Sequence, residues 1–436
     1  MVDPAVLETA DGINPGALCD DDFGLEHHRA RAEMGRRACS LMLGLVGGRK
    51  LKRVCKHSDP GHAERILNAA LGHAHQEVCQ DLLRVRPGEF ALLLAKCEAT
   101  GLRSGKHISA GVKLAMTLEW LGHAITVRRQ SATWKCSVST VKLARTATLT
   151  ALYRSMVREN IGFHLPDPAH YVKQGSSKYH ELRDMCGAID GTHIPIRVPI
   201  ADAVMWRCRK GFISTNVIIA FNQSMLCTAI YPGAEGPCAD ADVLHKVAAR
   251  GFGIPQGKFV LGDAGYGLTT QVLTPYRGVR YHLKERTDQH AVRGKKPKNR
   301  YELFNLRHAV YRNVVERSIG VLKWRFAVLR HGFMCRKNDA FHAIVVCAAL
   351  HNFMRMQRDE LIVEERHREC EDAPDEAHEE VRLVSDATGR RANEAKVWRD
   401  GIADRMWGQY YAHVSKRQRQ ETAESRLLRS RMSADA

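Results

Sequence analysis

Cys186-Gly187-Ala188-Ile189-Asp190-Gly191-Thr192-His193-Ile194-Pro195-Ile196 decides how the rest of this chain is read. Ala188-Ile189 opens a short apolar strand, and Asp190 follows inside it or at its end. Aspartate is disfavoured in strands, so a carboxylate there serves something other than sheet stability. Downstream the pattern stays that of an α/β domain. Residues 214–221 carry Val217-Ile218-Ile219, the signature of a buried strand. Asn222-Gln223-Ser224 breaks it, and residues 226–231 return as the second arm of a hairpin. Residues 240–250 read as a helix, and residues 258–261 as another buried strand that ends at Gly262-Asp263. Ligands bind at the carboxyl ends of strands in α/β sheets.

Further on, Val315, Ile319, Leu322 and Phe326 are spaced 4, 3 and 4, which predicts an amphipathic helix over residues 310–326. Glu316 lies beside its apolar stripe. Gly320, one turn on, costs helix stability by about 1 kcal/mol against alanine and leaves room near the Glu316 face. A last apolar helix is expected over residues 341–354. Asp190, Asp263 and Glu316 thus come from two strands and a helix. Three carboxylates converging in this way suit a pair of Mg²⁺ or Mn²⁺ ions acting on a phosphodiester. The alternative on residues alone is three unrelated surface acids among 48.

Toward the N-terminus, residues 60–165 read as helical. Ser137 is a candidate N-cap, because its hydroxyl can accept from an orphan backbone N–H. Val141, Ala144 and Leu152 then face inward, and Ser139, Lys142 and Arg145 face outward. Residues 113–152 therefore have the layout of a helix-turn-helix, whose second helix enters the DNA major groove; an ordinary helical hairpin has the same spacing. Residues 1–59 are expected to be a loose arm, acidic at Asp20-Asp21-Asp22 and basic at Arg49, Lys50, Lys52, Arg53 and Lys56, a patch suited to nuclear import or phosphate. Residues 357–436 are charged and uneven, and are expected to be a mobile tail.

Composition bounds the reading. The chain has 436 residues, 44% hydrophobic and 26% charged, with a formal net charge of +18. That surplus favours a polyanionic partner, most commonly nucleic acid. No apolar run is long enough to span a bilayer, so a membrane partner is not expected. Residues 1–22 are acidic, without a basic-then-apolar leader, which points to an intracellular protein. The 13 cysteines form no Cys-x-x-Cys pair. Cys55, His57 and His62 lack the second ligand pair of a zinc site.

Several blocks resemble the Harbinger-type (PIF/Harbinger, IS5-like) DDE transposase-derived nucleases. The opening stretch is similar to that family's first-aspartate motif. Arg209-Lys210-Gly211-Phe212 with Asn216-Val217, and Gly233-Ala234-Glu235-Gly236 with Asp240, resemble its next two blocks. Leu261-Gly262-Asp263-Ala264-Gly265-Tyr266 resembles its second-aspartate block. Arg312-Asn313-Val314-Val315-Glu316-Arg317 with Gly320 and Lys323 resembles its glutamate block, and Ala349-Leu350-His351-Asn352 its closing helix. The blocks stand in family order over roughly residues 184–354.

The resemblance implies an α/β, RNase H-like DDE catalytic domain preceded by an all-helical DNA-binding region. It implies Asp190, Asp263 and Glu316 as catalytic ligands of two divalent ions, Mg²⁺ or Mn²⁺, in DNA cleavage and joining. His193, Asp240, Arg312 and Lys323 become auxiliary candidates, each with an ordinary packing or charge-pairing reading beside it. Ser139, Lys142, Arg145, Arg209 and Lys210 become DNA contacts, and the basic loop 293–300 either a contact or an insertion. The implied partners are DNA, a second Myb-like DNA-binding protein of the kind related elements often encode, and further copies of the chain. The implied location is the nucleus, with the cytoplasm as a second compartment. The alternative is a domesticated DNA-binding or scaffold protein that keeps the fold without transposing. Val138 and Ile319 depart from the family pattern, where a polar and an aromatic residue are usual.

Overall fold

A computed structural model describes residues 59, 61–72, 76–248, 253–279, 296–357 and 389–434. The N-terminal arm with its basic cluster, Cys55 and His57, and residues 293–295 of the basic loop lie outside the described residues. Pro60–Ala436 forms one compact unit.

Strands β1 (Met185–Pro195), β2 (Ser214–Phe221), β3 (Cys227–Glu235), β4 (Phe259–Leu261) and β5 (Val272–Leu273) make one sheet in the order β3-β2-β1-β4-β5. β2 runs antiparallel to β1 and to β3, while β4 is parallel to β1 and β5 to β4. The turn expected at residues 222–224 joins β2 to β3. β5 is an addition to the sequence reading: two apolar residues are too short to carry a period.

Alternation along each strand builds two apolar layers. Ile189, Ile218, Ala220 and Val260 face α8 (Asp240–Ala248), through its Val243 and Val247. Ala188, Ile194, Val217, Ile219 and Leu261 face the larger core, with α9 (Arg300–Arg325) and α11 (Lys337–Gln357). Because both faces are covered, β2 is buried at every position, which is why its sequence is apolar without alternation. Between α9 and α11 lies the short α10 (Val328–His331). α9 starts ten residues earlier than expected. Asn299 caps it by accepting from Glu302 N–H, and Tyr311, Phe304 and Leu303 extend its buried face.

The N-terminal helices are α1 (His62–Leu71), α2 (Gln76–Leu83), α3 (Pro87–Ala99), α4 (Ala110–His123), α5 (Val127–Thr133) and α6 (Val138–Asn160), followed by α7 (Pro168–Gln174). They share the large core with the sheet. Trp120 of α4 meets Phe333 edge-on at 6.0 Å, and Asn160 O at the end of α6 accepts from Asn352 of α11. Ser137 caps α6 as expected, accepting from Thr140 N–H at 3.0 Å. The sharp bend before it puts Lys135 at φ 49°. Val141, Ala144 and Leu152 are buried.

Two expectations are corrected. Arg145 does not face outward: it is 7% exposed. It donates to Gln130 Oε1 at 2.9 Å and to Ile125 O, with its guanidinium 4.5 Å above the Trp120 ring. Helical spacing placed it beside Ala144 at the edge of the apolar stripe, and a polar partner buried on α5 draws it in. The charged tail is not mobile throughout. α12 (Gly389–Ala434) packs Ala395, Ile402, Ala403 and Met406 into the core, and Trp398 meets Phe259 edge-on at 5.1 Å. Arg399 stacks on Tyr276 at 3.9 Å, and the Tyr276 hydroxyl donates to Asp400. The apolar row recurs every third or fourth residue but is thin among charges. Among the described residues no helix is long and apolar enough to cross a membrane.

Candidate active site

β4 pairs with β1 only as far as Ala188. From Asp190 onward β1 is paired through β2 alone among the described strands, Asp190 opposite Ile219. That open edge is where the acids gather. Asp190 Oδ1 accepts from Gly191 N–H at 3.0 Å. Asp263 follows the end of β4, and its Oδ1 accepts from the N–H groups of Gly265 (2.8 Å) and Tyr266 (3.2 Å). Those two bonds fix its carboxylate at the strand end. Glu316 projects from α9, half-exposed.

Arg312, one turn before Glu316, bridges two of the acids. Its guanidinium lies 2.5 Å from Glu316 Oε1 and 3.7 Å from Asp190 Oδ2. Asp240 begins α8, where Asn216 of β2 donates to its Oδ1 at 2.7 Å. Gly191 makes that approach feasible: a Cβ there would lie 2.2 Å from Asp240 Oδ1. The glycine of the opening stretch is therefore a steric requirement of the fourth acid.

The electrostatics follow from this crowding. Burial pushes the Asp190 carboxyl up to about 7; Arg312 opposes the shift, and the charges of Asp263, Asp240 and Glu316 add to it. Among the described residues, these four carboxylates share one field with the Arg312 guanidinium. The Tyr266 phenol, fully buried beside the same acids, is pushed up well above its usual value by burial and then by Asp240, Asp190 and Asp263. Among the described residues its hydroxyl has no hydrogen-bond partner. Among the described residues no three His, Cys, Asp or Glu side chains stand in direct ligand geometry for one ion; Arg312 lies between Asp190 and Glu316.

The remaining candidates fall on either side. Lys323 Nζ donates to Thr192 Oγ1 (2.6 Å) and His193 O (3.2 Å), tying α9 to the open edge of β1. His193 Nδ1 pairs with Ser214 Oγ at 3.1 Å on the opposite face of the strand from Asp190. Gly320 faces solvent, with nothing within 4 Å of a Cβ placed there, so the space expected near Glu316 opens outward. Arg209 and Lys210 are exposed at the tip of the β1–β2 connection, and Ser139 and Lys142 are exposed on α6. Asn216 and Tyr266 were missed as members of the site. Asn216, a polar residue inside an apolar strand, was the available signal; a tyrosine three residues after an aspartate carries none.

Residues 189–352 match a family model described as DDE superfamily endonuclease. HARBI1 of Rattus norvegicus, named as a candidate nuclease, is 24% identical over 198 residues, covering 43% of this chain and 52% of that protein. A protein of Arabidopsis thaliana called ALP1-like is 22% identical over 326 residues, 70% of this chain and 73% of its own length. HARBI1 of Homo sapiens is 23% identical over 172 residues, 38% of this chain and 44% of that protein. The chain thus spans about half the length of the HARBI1 relatives it matches. No solved structure matches significantly.

Proposed function

We propose, from the match of residues 189–352 to a DDE superfamily endonuclease model and the similarity to HARBI1 and ALP1-like, that the chain is a Harbinger-type, divalent-metal-dependent DNA nuclease and transposase, acting in the nucleus. The observation that carries the reading is geometric: Arg312 stands between Asp190 and Glu316 on the open edge of a strand, with Asp263 held at the neighbouring strand end. The sheet order, with β1, β2 and β3 antiparallel and β4 and β5 parallel to β1, supports an RNase H-like reading of the fold.

The donor set fits the ions. Carboxylate oxygens suit Mg²⁺ and Mn²⁺, and four acids against one arginine leave negative charge that a divalent cation would balance. Asp190, Asp263 and Glu316 would hold the pair. When bound, such ions make a water or a 3′ hydroxyl nucleophilic and offset charge on the departing oxygen. The chain's own residues do the rest. Asn216 and Gly191 keep Asp240 at the rim of the site. Arg312, which stands between Asp190 and Glu316, would offer its guanidinium to the scissile phosphate. Lys323 holds the Thr192–His193 edge and adds positive charge there. Arg209 and Lys210 take backbone phosphates, and Ser139 and Lys142 present the α6 face to a groove; Arg145 has no part in that contact.

Nicking of supercoiled plasmid in Mg²⁺ tests the reading, with EDTA and Asp190→Asn as controls. Cleavage that needs Mg²⁺ or Mn²⁺ and is lost in Asp190→Asn is the expected outcome. Cleavage persisting in EDTA, or equal in the variant, removes it.

A further inference from the structure

The connection between β1 and β2, residues 196–213, is not a slack loop. Arg207 pairs with Ile213 across a small hairpin. Cys208 N–H donates to Phe212 O and Gly211 N–H to Cys208 O, both at 2.9 Å, and the turn closes at Gly211 with φ 86°. Trp206 anchors its base: it is buried, its carbonyl accepts from Ser214 N–H, and its ring lies 5.0 Å below Lys337 Nζ and 6.2 Å from Phe341. A rigid base with a turn held by hydrogen bonds makes a preformed projection.

What it projects is unusual for a surface. Of the fourteen large exposed hydrophobic residues among those described, four lie here: Ile200 (94% exposed), Val204 (80%), Met205 and Phe212. Singly exposed apolar residues need no explanation, but a cluster does. It is mixed with cations: Arg197, Arg207, Arg209 and Lys210 against Asp202 in the same segment. The projection is also joined to the strand that carries Asp190. Phe212 meets the His193 ring edge-on at 6.4 Å, and His193 lies three residues along β1 from Asp190, about 10 Å at strand rise. Apolar side chains flanked by arginine and lysine suit DNA, with phosphates on the cations and the apolar groups entering a base step.

We propose that residues 196–213 are a strand-separating wedge: Arg209 and Lys210 hold phosphates while Ile200, Val204 and Met205 enter the base stack, so that the strand reaching Asp190 is unpaired. The wedge rests on the nuclease reading for its purpose, but opening and cutting are separable. Phe212, against His193, fixes the wedge to the catalytic strand.

The variant Ile200→Ser/Val204→Ser/Met205→Ser changes exposed side chains only, and an unchanged melting temperature checks its fold. Linear duplex DNA is bound in Ca²⁺, and unpaired thymines are read by permanganate. The wild type raises thymine reactivity in the bound duplex, and the variant does so about tenfold less at matched occupancy, because unstacking costs a few kcal/mol per step that nothing else repays. In Mg²⁺ the variant loses nicking of the paired duplex and recovers it on the same duplex carrying a block of mismatches. The wedge is overturned if the wild type does not bind the duplex or exposes no thymines, if the variant exposes as many, or if its nicking falls equally on both substrates. It is also overturned if the wild type is a dimer without DNA and the variant a monomer, since the apolar cluster is then covered by a second copy. Thymine exposure without nicking in the wild type removes the nuclease reading and leaves the wedge standing.

Discussion

Two arginines in this molecule answer acids, and they are placed in opposite ways. Arg145 in the helical region belongs to a closed set. Glu119 Oε2 accepts from Gln130 Nε2 (2.8 Å) and Trp134 Nε1 (2.7 Å), and Gln130 passes the contact on to Arg145 through its own Oε1. One cation and one anion balance, and Trp120 covers the guanidinium. Burial lowers the Arg145 group to about 10, with Cys335 and Glu119 opposing the shift, so it stays charged at neutral pH. Arg312 by contrast faces Asp190 and Glu316 directly, with Asp240 and Asp263 in the same field. The first network is balanced and belongs to the fold. The second carries an excess of negative charge that the fold does not neutralise, which marks it as a place for a ligand.

The largest effect that could break this contrast is on chemistry. Glu316→Gln is nearly isosteric and half-exposed, so the fold should survive. Nicking is expected to fall by roughly 10²-fold or more, because an ion that stabilises the departing oxygen loses a ligand. DNA affinity in EDTA should hold or rise, since a carboxylate that repels phosphate is gone. A paired gel-shift and nicking assay reads both. Affinity that collapses together with cleavage would make Glu316 a fold residue like Glu119.

Next comes stability. Arg145→Met leaves Gln130 Oε1 and Ile125 O without their donor, and a buried acceptor left unsatisfied costs about 1–3 kcal/mol. A lower denaturation midpoint that Mg²⁺ does not change is expected. Arg312→Met behaves differently: it removes the cation that bridges Asp190 and Glu316, so its melting temperature should become dependent on added Mg²⁺, while the wild type responds less. Thermal melts of both variants with and without Mg²⁺ test this. A Mg²⁺-insensitive Arg312→Met would place that arginine in the same class as Arg145.

How much of this was legible follows from the scale on which each feature is written. β2 and β4 were readable because a buried strand is a short run of Val, Ile and Leu. The α9 helix was readable because Val315, Ile319 and Leu322 keep one period. The three acids stood out because Asp190 lies in a strand that disfavours it, Asp263 follows a strand end and Glu316 stands beside an apolar stripe. Arg145 was misplaced because its partner Gln130 lies on another helix, and no local pattern reports a polar contact across a turn. α12 was misread because Ala395, Ile402 and Met406 are outnumbered by charges. The role of Gly191 could not be read at all. It depends on where Asp240 arrives from distant sequence.

A smaller effect concerns protons in the core under α9. Burial lowers the His308 imidazole to about 4, opposed by its hydrogen bond with Leu273 O and reinforced by Arg312 and Arg399. The folded chain therefore favours the neutral ring. The stability this contributes is fully present above the unfolded value near 6.5 and is lost as pH falls from there toward 4. The shift corresponds to about 3 kcal/mol. Denaturation midpoints between pH 7 and pH 4 should fall in the wild type and fall less in His308→Gln. Parallel curves for the two proteins would assign the acid lability to other groups, His351 first among them, since burial lowers it as well.

The smallest expected effect bears on the outer face of α6, where the balanced network ends and solvent begins. Ser139 and Lys142 are exposed there beside Leu143, 71% exposed, and Arg145 turns away beneath them. If that face meets DNA, Lys142 contributes one cation, and each phosphate contact adds about one unit to the salt slope of binding. Lys142→Ala should then weaken affinity severalfold at low salt and make the slope shallower by about that unit. The melting temperature should not change, because nothing buried is lost. Arg145→Met supplies the contrast. Any loss of binding there should follow loss of fold, and should vanish at a temperature where the variant is fully folded. Titrations at several salt concentrations separate the two. A Lys142→Ala slope identical to wild type would take α6 out of the DNA interface. The Glu119–Gln130–Arg145 network would then be the core of a helical support for α11 and the sheet, and the reading of DNA would fall to the cations at Arg209 and Lys210.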